Sequence, residues 1–216
     1  MFPDLTRDDV FRLETARLWL RWPRQADVQA IVELAGDKEV AEMTGVIPHP
    51  YPPAEADAFV LRTRTENANG TALTMAITLK RRPNDLVGIV GIKGPSEANP
   101  VPFIGYWMGR PHWGRGLATE AARAMIDAAF AYTPADELAA SARVVNPASR
   151  RVLEKCGFAS QGSGLQSFPV RGGALPVDYF RLDRRTWASL KSWGLSGPTA
   201  HGRETSGEAA LPLAAE

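Results

Sequence analysis

The sequence is poor in cysteine and carries no excess of either charge. A single cysteine, Cys156, among 216 residues excludes an internal disulfide framework and is typical of a reducing compartment. Lysine and arginine number 25 against 24 acids, so the net charge of +1 gives no general basicity for binding nucleic acid or a membrane. No apolar run approaches transmembrane length, and the first residues lack the pattern of a signal peptide. We therefore expect a cytoplasmic protein.

Strand and helix patterns alternate along the chain without internal repeats. Apolar alternation and turn signals predict strands over residues 17–21, 72–79, 86–92, 103–108, 138–145 and 177–182. Helical spacing predicts helices over residues 27–34, 52–66, 115–132, 148–155 and 184–193. The length suits one well-buried domain, which we expect over residues 12–193. An N-terminal arm over 1–11 and a flexible C-terminal tail over 194–216, poor in large apolar residues, are expected to flank it.

Residues 103–121 carry the most chemical information. The strand-like Phe103-Ile-Gly-Tyr-Trp-Met108 is followed by a glycine-rich turn and then by an alanine-rich helix pattern. Gly114 and Gly116 allow the backbone to turn tightly. The first turn of the helix offers N–H groups without an intrahelical partner, and the helix dipole favours negative charge there. This order of elements predicts a binding site for a diphosphate.

Two other interpretations of the turn stay open at this point. A Rossmann fingerprint needs Gly-x-Gly-x-x-Gly and an acid roughly 20 residues later, which Gly114, Gly116 and either Asp136 or Glu137 satisfy in part. However, Thr119 stands where the third glycine belongs, and the aromatic strand is unlike the Val/Ile/Leu run that starts a doubly wound sheet. The glycines can also serve the geometry of an ordinary strand-to-helix turn.

A second segment, Asn146-Pro-Ala-Ser-Arg-Arg-Val-Leu-Glu-Lys-Cys-Gly-Phe158, follows about 30 residues downstream. Together the two segments resemble the acyl-CoA-binding core of the GNAT N-acetyltransferase superfamily, in particular its RimJ/RimL type, the ribosomal-protein N-terminal acetyltransferases and their relatives. The stretch Trp113-Gly-Arg-Gly-Leu-Ala118 matches the family loop Gln/Arg-x-x-Gly-x-Gly/Ala, with tryptophan first. The segment Glu14-Thr-Ala-Arg-Leu-Trp-Leu-Arg21 resembles the opening strand of this branch, so the resemblance covers about residues 12–190.

The resemblance implies an α+β fold in three layers, the acyl-CoA N-acyltransferase fold. A mixed, mostly antiparallel central sheet of about seven strands with a splayed pair is expected, with helices on both faces. The resemblance also implies acetyl-CoA as the acyl donor, a primary amine as the acceptor, direct attack in a ternary complex, and no metal. Neither nucleic acid nor membrane is an expected partner, and the protein is expected to be a monomer or a homodimer.

The resemblance further implies the site residues. A backbone N–H of Met108 or a neighbour is expected to stabilise the oxygen of the thioester carbonyl, and the hydroxyl of Ser149 is expected near the sulfur. Ser149 and Asn146 also fit a local role at a helix start, and Arg115 fits a solvated surface position. The expected cofactor contacts are Trp107, Met108, Gly109, Trp113, Gly114, Arg115, Gly116, Leu117, Ala118, Thr119, Asn146 and Ser149.

The sequence departs from the family at two acid–base positions. Many relatives have a tyrosine where this chain has Leu153, and many have a glutamate where it has Phe103. A catalytically silent acyl-CoA-binding protein is therefore one alternative function, and a dinucleotide-binding oxidoreductase is another. The general base has no single candidate: Glu42, His49, Tyr51, His112 and Asp178 are considered, together with a chain of water molecules.

The acceptor is predicted from the segment over residues 42–53, which walls the acceptor site in this family. The segment is rich in proline and aromatic residues and poor in acids. A polycationic aminoglycoside would need more carboxylates than this segment offers. We therefore expect a peptide N-terminus or a small amine.

Overall fold

One eight-stranded sheet forms the centre of the chain in a computed structural model that describes residues 1–97 and 99–195. The sheet order is β1-β2-β3-β4-β5-β6-β8-β7. The strands are β1 (Arg12–Glu14), β2 (Leu18–Arg21), β3 (Ala72–Leu79), β4 (Arg82–Lys93), β5 (Phe103–Met108), β6 (Glu137–Arg143), β7 (Ala159–Phe168) and β8 (Gly173–Asp183).

Neighbouring strands pair antiparallel except for β5 and β6, which are parallel. The antiparallel β4–β5 ladder runs through six residue pairs, from Gly88↔Met108 to Lys93↔Phe103. The register of β5 with β6, in contrast, contains only Phe103↔Ala139. The two strands therefore diverge toward their carboxyl ends, and the sheet is open between them.

Helices cover both faces of the sheet, which explains why β3 is buried along its whole length. One face carries α1 (Val28–Ala35), α2 (Lys38–Glu42) and α3 (Pro53–Ala68), which contribute Ile31, Ala41 and Val60 to one apolar core with Ile89 of β4. The other face carries α4 (Leu117–Tyr132), α5 (Pro147–Lys155) and α6 (Arg184–Leu195). These helices pack Met125, Leu153 and Trp187 into a larger core. The result is the predicted three-layer α+β arrangement.

The sequence patterns predicted the inner strands better than the edges. The sheet has eight strands instead of about seven, and the strands without a sequence prediction are the outermost ones, β1 and β7. β1 has three residues, and β7 is exposed over most of its length and consists mainly of serine, glycine and glutamine, so neither shows apolar alternation. The helix α2, which begins after Asp37, also escaped prediction because it has five residues.

The observed topology decides whether the glycine turn belongs to a Rossmann dinucleotide-binding domain or to an acyl-CoA-binding fold. A dinucleotide-binding Rossmann domain needs a mostly parallel sheet, whereas this sheet contains one parallel pair and six antiparallel ones. The fold therefore excludes the Rossmann interpretation of the glycine turn and confirms the mostly antiparallel sheet with a splayed pair.

The predicted arm over residues 1–11 packs on the domain. The Phe2 side chain is 1% exposed in the larger core, and its N–H donates to the carbonyl of Gly70 at 2.9 Å. Most of the predicted tail, residues 196–216, lies outside the described residues. Over the described part of the chain, every helix is too short or too polar to cross a membrane. The domain boundaries stay a prediction.

Candidate active site

The glycine turn between β5 and α4 has a backbone shape that requires glycine. Gly114 and Gly116 have φ values of 72° and 73°, in the left-handed region that other residues rarely adopt. The first helical hydrogen bond of α4 runs from the N–H of Glu120 to the oxygen of Gly116, at 3.1 Å. The N–H groups of residues 117–119 precede that bond and have no helical carbonyl to bind. The turn therefore presents donors at the positive end of a 16-residue helix, which suits a diphosphate.

Arg17 and Glu120 hold the turn in place from the side of β2. The Glu120 carboxylate accepts hydrogen bonds from the N–H of Arg17 (2.8 Å), from Arg17 Nε (2.6 Å) and from the hydroxyl of Thr15 (2.6 Å). Arg17 Nη1 in turn donates to the carbonyl of Arg115 at 2.9 Å. Partial burial would raise the pKa of Glu120, but the bonds from Thr15 and Arg17 outweigh it and lower the pKa. Glu120 is therefore ionised at neutral pH and fixes the turn.

The end of β5 directs the backbone of Met108 toward the splay. Gly109 donates its N–H to the carbonyl of Val87 in β4, at 2.9 Å. Because successive residues of a strand turn their N–H and C=O groups to opposite sides, the groups of Met108 face β6. Those of Trp107 face β4, like the N–H of Gly109. Of the three residues predicted to pair with the cofactor, only Met108 therefore has its backbone on the open side.

Trp113 connects the turn back to the strand. Its indole Nε1 donates to the carbonyl of Met108 at 2.7 Å, while the ring remains 41% exposed. The bond uses the Met108 carbonyl and leaves the Met108 N–H as the backbone donor that faces the splay. Gly105, in the middle of β5, has open space where a side chain would begin. The opening between β5 and β6, called the slot below, therefore has the Met108 N–H as a backbone donor on its β5 side and open space over Gly105 on one face of the sheet.

Ser149 lies across the splay from β5, in the first turn of α5. Its N–H donates to the side-chain oxygen of Asn146 at 3.0 Å, so Asn146 caps the helix. The side-chain nitrogen of Asn146 donates to the carbonyl of Met43 at 3.1 Å. Both heteroatoms of the Asn146 amide thus have partners within the protein. The local role that the sequence allowed for Asn146 is observed, and a contact between Asn146 and the cofactor stays a prediction.

Tyr106 is the functional candidate that the sequence analysis missed. Its hydroxyl lies 3.1 Å from Ser149 Oγ and 3.2 Å from the carbonyl oxygen of Ser149, so it joins β5 to α5 across the splay. Burial raises the pKa of Tyr106 strongly against a smaller opposing effect of the Ser149 bond, and the phenol stays protonated. Leu153, at the position where the family resemblance implied a tyrosine, is 1% exposed in the core. A phenol is thus present near Ser149, but it comes from the sheet instead of from α5.

The predicted acceptor-facing segment, residues 42–53, is fastened beside the splay by arginines. The guanidinium of Arg143, at the end of β6, donates to the carbonyl of Glu42. Arg171, from the turn between β7 and β8, donates to the carbonyls of Ala41 and, at 2.6 Å, of Ile47. The ring of Phe168 lies where a side chain on residue 45 would begin. The β7–β8 hairpin and the end of β6 therefore fix this segment.

The five candidate bases differ in how their basic atoms are occupied. His49 Nδ1 lies 2.9 Å from the carbonyl of Gly36, which only accepts, so Nδ1 is the donor in that bond. Burial raises the pKa of Tyr51, and burial followed by the charge of Arg115 lowers that of His112. Glu42 is exposed and lies 3.9 Å from Lys38.

The carboxylate of Asp178, the fifth candidate base, is held by hydrogen bonds within the protein. It accepts hydrogen bonds from Ser163, at 2.6 Å, and from Arg150. The bond from Ser163, followed by that from Arg150, lowers the pKa of Asp178. A carboxylate held in this way is a weak proton acceptor.

Cys156 is a buried structural thiol. It is 7% exposed, and burial raises its pKa to about 11, so little thiolate exists at neutral pH. Over residues 1–97 and 99–195, no three His, Cys, Asp or Glu side chains are grouped as a metal site would require.

A mixed sheet that opens beside a glycine turn at a helix N-terminus defines the acyl-CoA N-acyltransferase class. Residues 17–159 match the family model of the acetyltransferase (GNAT) domain. An uncharacterized N-acetyltransferase, p20, of Bacillus licheniformis is 26% identical over 176 residues, which cover 82% of this chain and 98% of that protein. The ribosomal-protein-serine acetyltransferase of Escherichia coli is 30% identical over 84 residues, covering 38% of this chain and 45% of that protein.

Solved structures share the fold. RimJ of Mycobacterium smegmatis, solved in complex with CoA-disulfide, superposes with a TM-score of 0.67 at 21% identity, covering 82% of this chain and 89% of that one. The chain belongs to the GNAT acetyltransferase family, with RimJ/RimL-like relatives, and is an acetyl-CoA-dependent N-acetyltransferase.

Proposed function

We propose that this chain transfers the acetyl group of acetyl-CoA directly to a primary amine in a ternary complex, without a covalent enzyme intermediate. The observation that carries the proposal is the opening between β5 and β6. Three features support it: the glycine turn follows β5, the Met108 N–H faces the opening, and the Ser149 hydroxyl contacts Tyr106 of β5. Cys156 is the one thiol of the chain, and its burial argues against an acetyl-cysteine.

The residues of the slot divide the chemistry between them. The N–H groups of residues 114–119 hold the diphosphate, and the Met108 N–H donates to the carbonyl oxygen as negative charge develops on it. The neutral amine attacks the carbonyl carbon, and the carbon–sulfur bond breaks. The attacking nitrogen then carries two protons; one leaves through water, and the other stays as the N–H of the new amide. The sulfur departs as a thiolate, which needs no strong acid because thiols ionise near pKa 8.5. Ser149 donates a hydrogen bond to it.

Tyr106 orients Ser149 for that donation. The one phenol proton of Tyr106 has two acceptors within reach, the carbonyl oxygen and Oγ of Ser149. When it goes to Oγ, the Ser149 proton is free to point at the sulfur. Tyr106 is thus a positioning residue, and Ser149 is the catalytic residue that touches the leaving group.

The acceptor is proposed to be a peptide N-terminus. Two observations support this choice over a polycationic amine. Residues 42–53 contain a single acid, Glu42, and the relatives include a ribosomal-protein-serine acetyltransferase.

Release of free thiol from acetyl-CoA tests the proposal. The assay uses a panel of short peptides with free N-termini, small amines and an aminoglycoside, with N-terminally blocked peptides as controls. Turnover confined to free N-termini is expected. Stabilisation by CoA without turnover on any amine would instead favour the catalytically silent protein, and no effect of CoA at all would contradict the site.

A further inference from the structure

A cavity of about 450 Å³ lies beside the glycine turn, on the side of the β3–β4 hairpin. Leu79 is its buried apolar member. The rest of the lining is basic and comes from two separate parts of the chain: Arg81 and Arg82 from the hairpin, His112 and Arg115 from the turn. The mechanism above uses none of the hairpin residues.

The cavity holds more positive charge than its surroundings neutralise. Arg82 lies 3.6 Å from Asp85, whereas the ion pairs among the described residues include neither Arg81 nor Arg115. At His112, burial and then the nearby charge of Arg115 lower the pKa of the imidazole. Guanidinium groups that face one cavity without matching acids favour a bound anion.

We propose that this cavity binds the 3′-phosphate of coenzyme A and makes the protein prefer coenzyme A to dephospho-coenzyme A. The inference rests on the proposed function, because it takes the diphosphate to lie on residues 114–119. Arg115 belongs to both the turn and the cavity. A ligand whose diphosphate contacts the turn therefore has its ribose close to the cavity, and the 3′ oxygen of that ribose carries a phosphate only a few bonds away.

The side chains present suit a phosphate monoester. Each guanidinium offers a planar fork of N–H donors that matches two phosphate oxygens, and such bonds are strengthened by the opposite charges. Arg81 and Arg82 are exposed side chains at the hairpin turn, outside both apolar cores. They can adjust to a ligand, and their removal leaves the packing of the sheet intact.

The test compares the dissociation constants of coenzyme A and dephospho-coenzyme A by calorimetry at one ionic strength. The unmodified protein is expected to bind coenzyme A roughly 10- to 100-fold more tightly, which is the usual contribution of hydrogen bonds to charged groups. In the double variant Arg81→Ala/Arg82→Ala that preference is expected to be lost, with the affinity for dephospho-coenzyme A unchanged. Arg185→Ala, an exposed arginine on α6, is the matched control and should keep the preference.

Equal affinity of the unmodified protein for the two ligands would overturn the inference and leave the transferase proposal intact. A double variant that retains the preference would overturn it as well, since the phosphate would then lie elsewhere. If neither ligand binds, the proposed function itself fails, and this inference fails with it. Circular dichroism of each variant confirms that the compared proteins are folded.

Discussion

At the scale of single residues, the pair formed by Tyr106 and Ser149 is the most informative contact of the slot. The sequence offered Ser149 as a candidate but left the tyrosine position empty at Leu153. The hydroxyl of Tyr106 reaches Ser149 from another element, at 3.1 Å. Residues 43 positions apart in the chain carry no local signal of such a contact, which is why sequence patterns alone did not find it.

Tyr106→Phe tests whether this contact positions Ser149. We expect kcat to fall by roughly 3- to 10-fold with the KM for acetyl-CoA unchanged, because the Ser149 hydroxyl loses its orientation and binding does not depend on it. Ser149→Ala is expected to lower kcat by about tenfold, a modest effect because the thiolate leaves readily. The double variant should be no slower than Ser149→Ala, since the two residues act as a unit.

Tyr179→Phe is the matched control for that experiment. It also removes a phenol hydrogen bond, from the Tyr179 hydroxyl to the carbonyl of Leu165 at 3.1 Å, but on the outer strands of the sheet. It should leave kcat unchanged. Independent, multiplicative effects of the Tyr106 and Ser149 substitutions would contradict the positioning role.

Asp178 is expected to contribute to the stability of the fold and not to catalysis. Its side chain is 4% exposed, and its ionised form is held by Ser163 and Arg150. Because the folded-state pKa lies below the unfolded value, the carboxylate stabilises the fold above about pH 4. The contribution is lost as the pH falls through the folded value. Asp178→Asn should therefore cost roughly 1–3 kcal/mol at pH 7, as for other bonds to buried charged groups.

Urea titration at several pH values measures this effect. The unmodified protein should exceed Asp178→Asn in free energy of unfolding by the largest amount at pH 7. This difference should shrink in acid as the carboxylate becomes protonated. Asp4→Asn, whose side chain is 95% exposed, should change stability by less than about 0.5 kcal/mol. A loss of amine acetylation in Asp178→Asn without a loss of stability would instead identify Asp178 as the base.

At the scale of elements, the glycine turn can be tested with a matched pair of glycines. Gly116 has φ 73° and ψ 8°, and Gly172, between β7 and β8, has φ 75° and ψ 14°. A side chain added at Gly116 would first meet Arg17 at 3.6 Å, and one added at Gly172 would meet open space. Valine at either position should therefore cost a similar strain of roughly 1–3 kcal/mol. The two differ mainly in what each turn is proposed to bind.

Gly116→Val is expected to weaken acetyl-CoA binding at least tenfold while the protein stays folded, because the strained turn no longer points its N–H groups at the diphosphate. Gly172→Val should keep the normal affinity. Calorimetry with acetyl-CoA measures both, and urea titration confirms the similar cost. An unchanged affinity in Gly116→Val would mean that the diphosphate binds elsewhere.

The β7–β8 hairpin is a second element with a predicted role. Arg171 at its tip donates to the carbonyls of Ala41 and Ile47 and thereby fastens residues 42–53 beside the splay. Arg171→Ala is expected to raise the KM for the amine acceptor several-fold and to leave acetyl-CoA affinity unchanged. Arg181→Ala, which removes a half-buried arginine of β8 paired with Glu137 at 3.6 Å, is the control. If Arg171→Ala weakened the binding of acetyl-CoA as much as that of the amine, a role confined to the amine site would be contradicted.

At the scale of the whole molecule, the sequence predicted the parts that depend on local patterns. Gly114 and Gly116, the strand before them and the alanine-rich helix after them were predictable, because positive φ and helix N-termini have local residue signatures. The edge strand β7 was not, since its serines and glycines are exposed and carry no alternation. Contacts that join distant elements, such as Arg171 with Ile47, also escaped prediction because only the assembled sheet brings them together.

We propose that the turn at residues 114–119 holds the diphosphate of coenzyme A and that the splay of β5 from β6 holds its thioester. A crystal structure of the complex with acetyl-CoA tests both parts at once. We expect phosphate oxygens at about 3 Å from the N–H groups of the turn, and the thioester carbonyl at a similar distance from the Met108 N–H. Phosphates bound to another element, or a thioester remote from β5, would contradict the proposal.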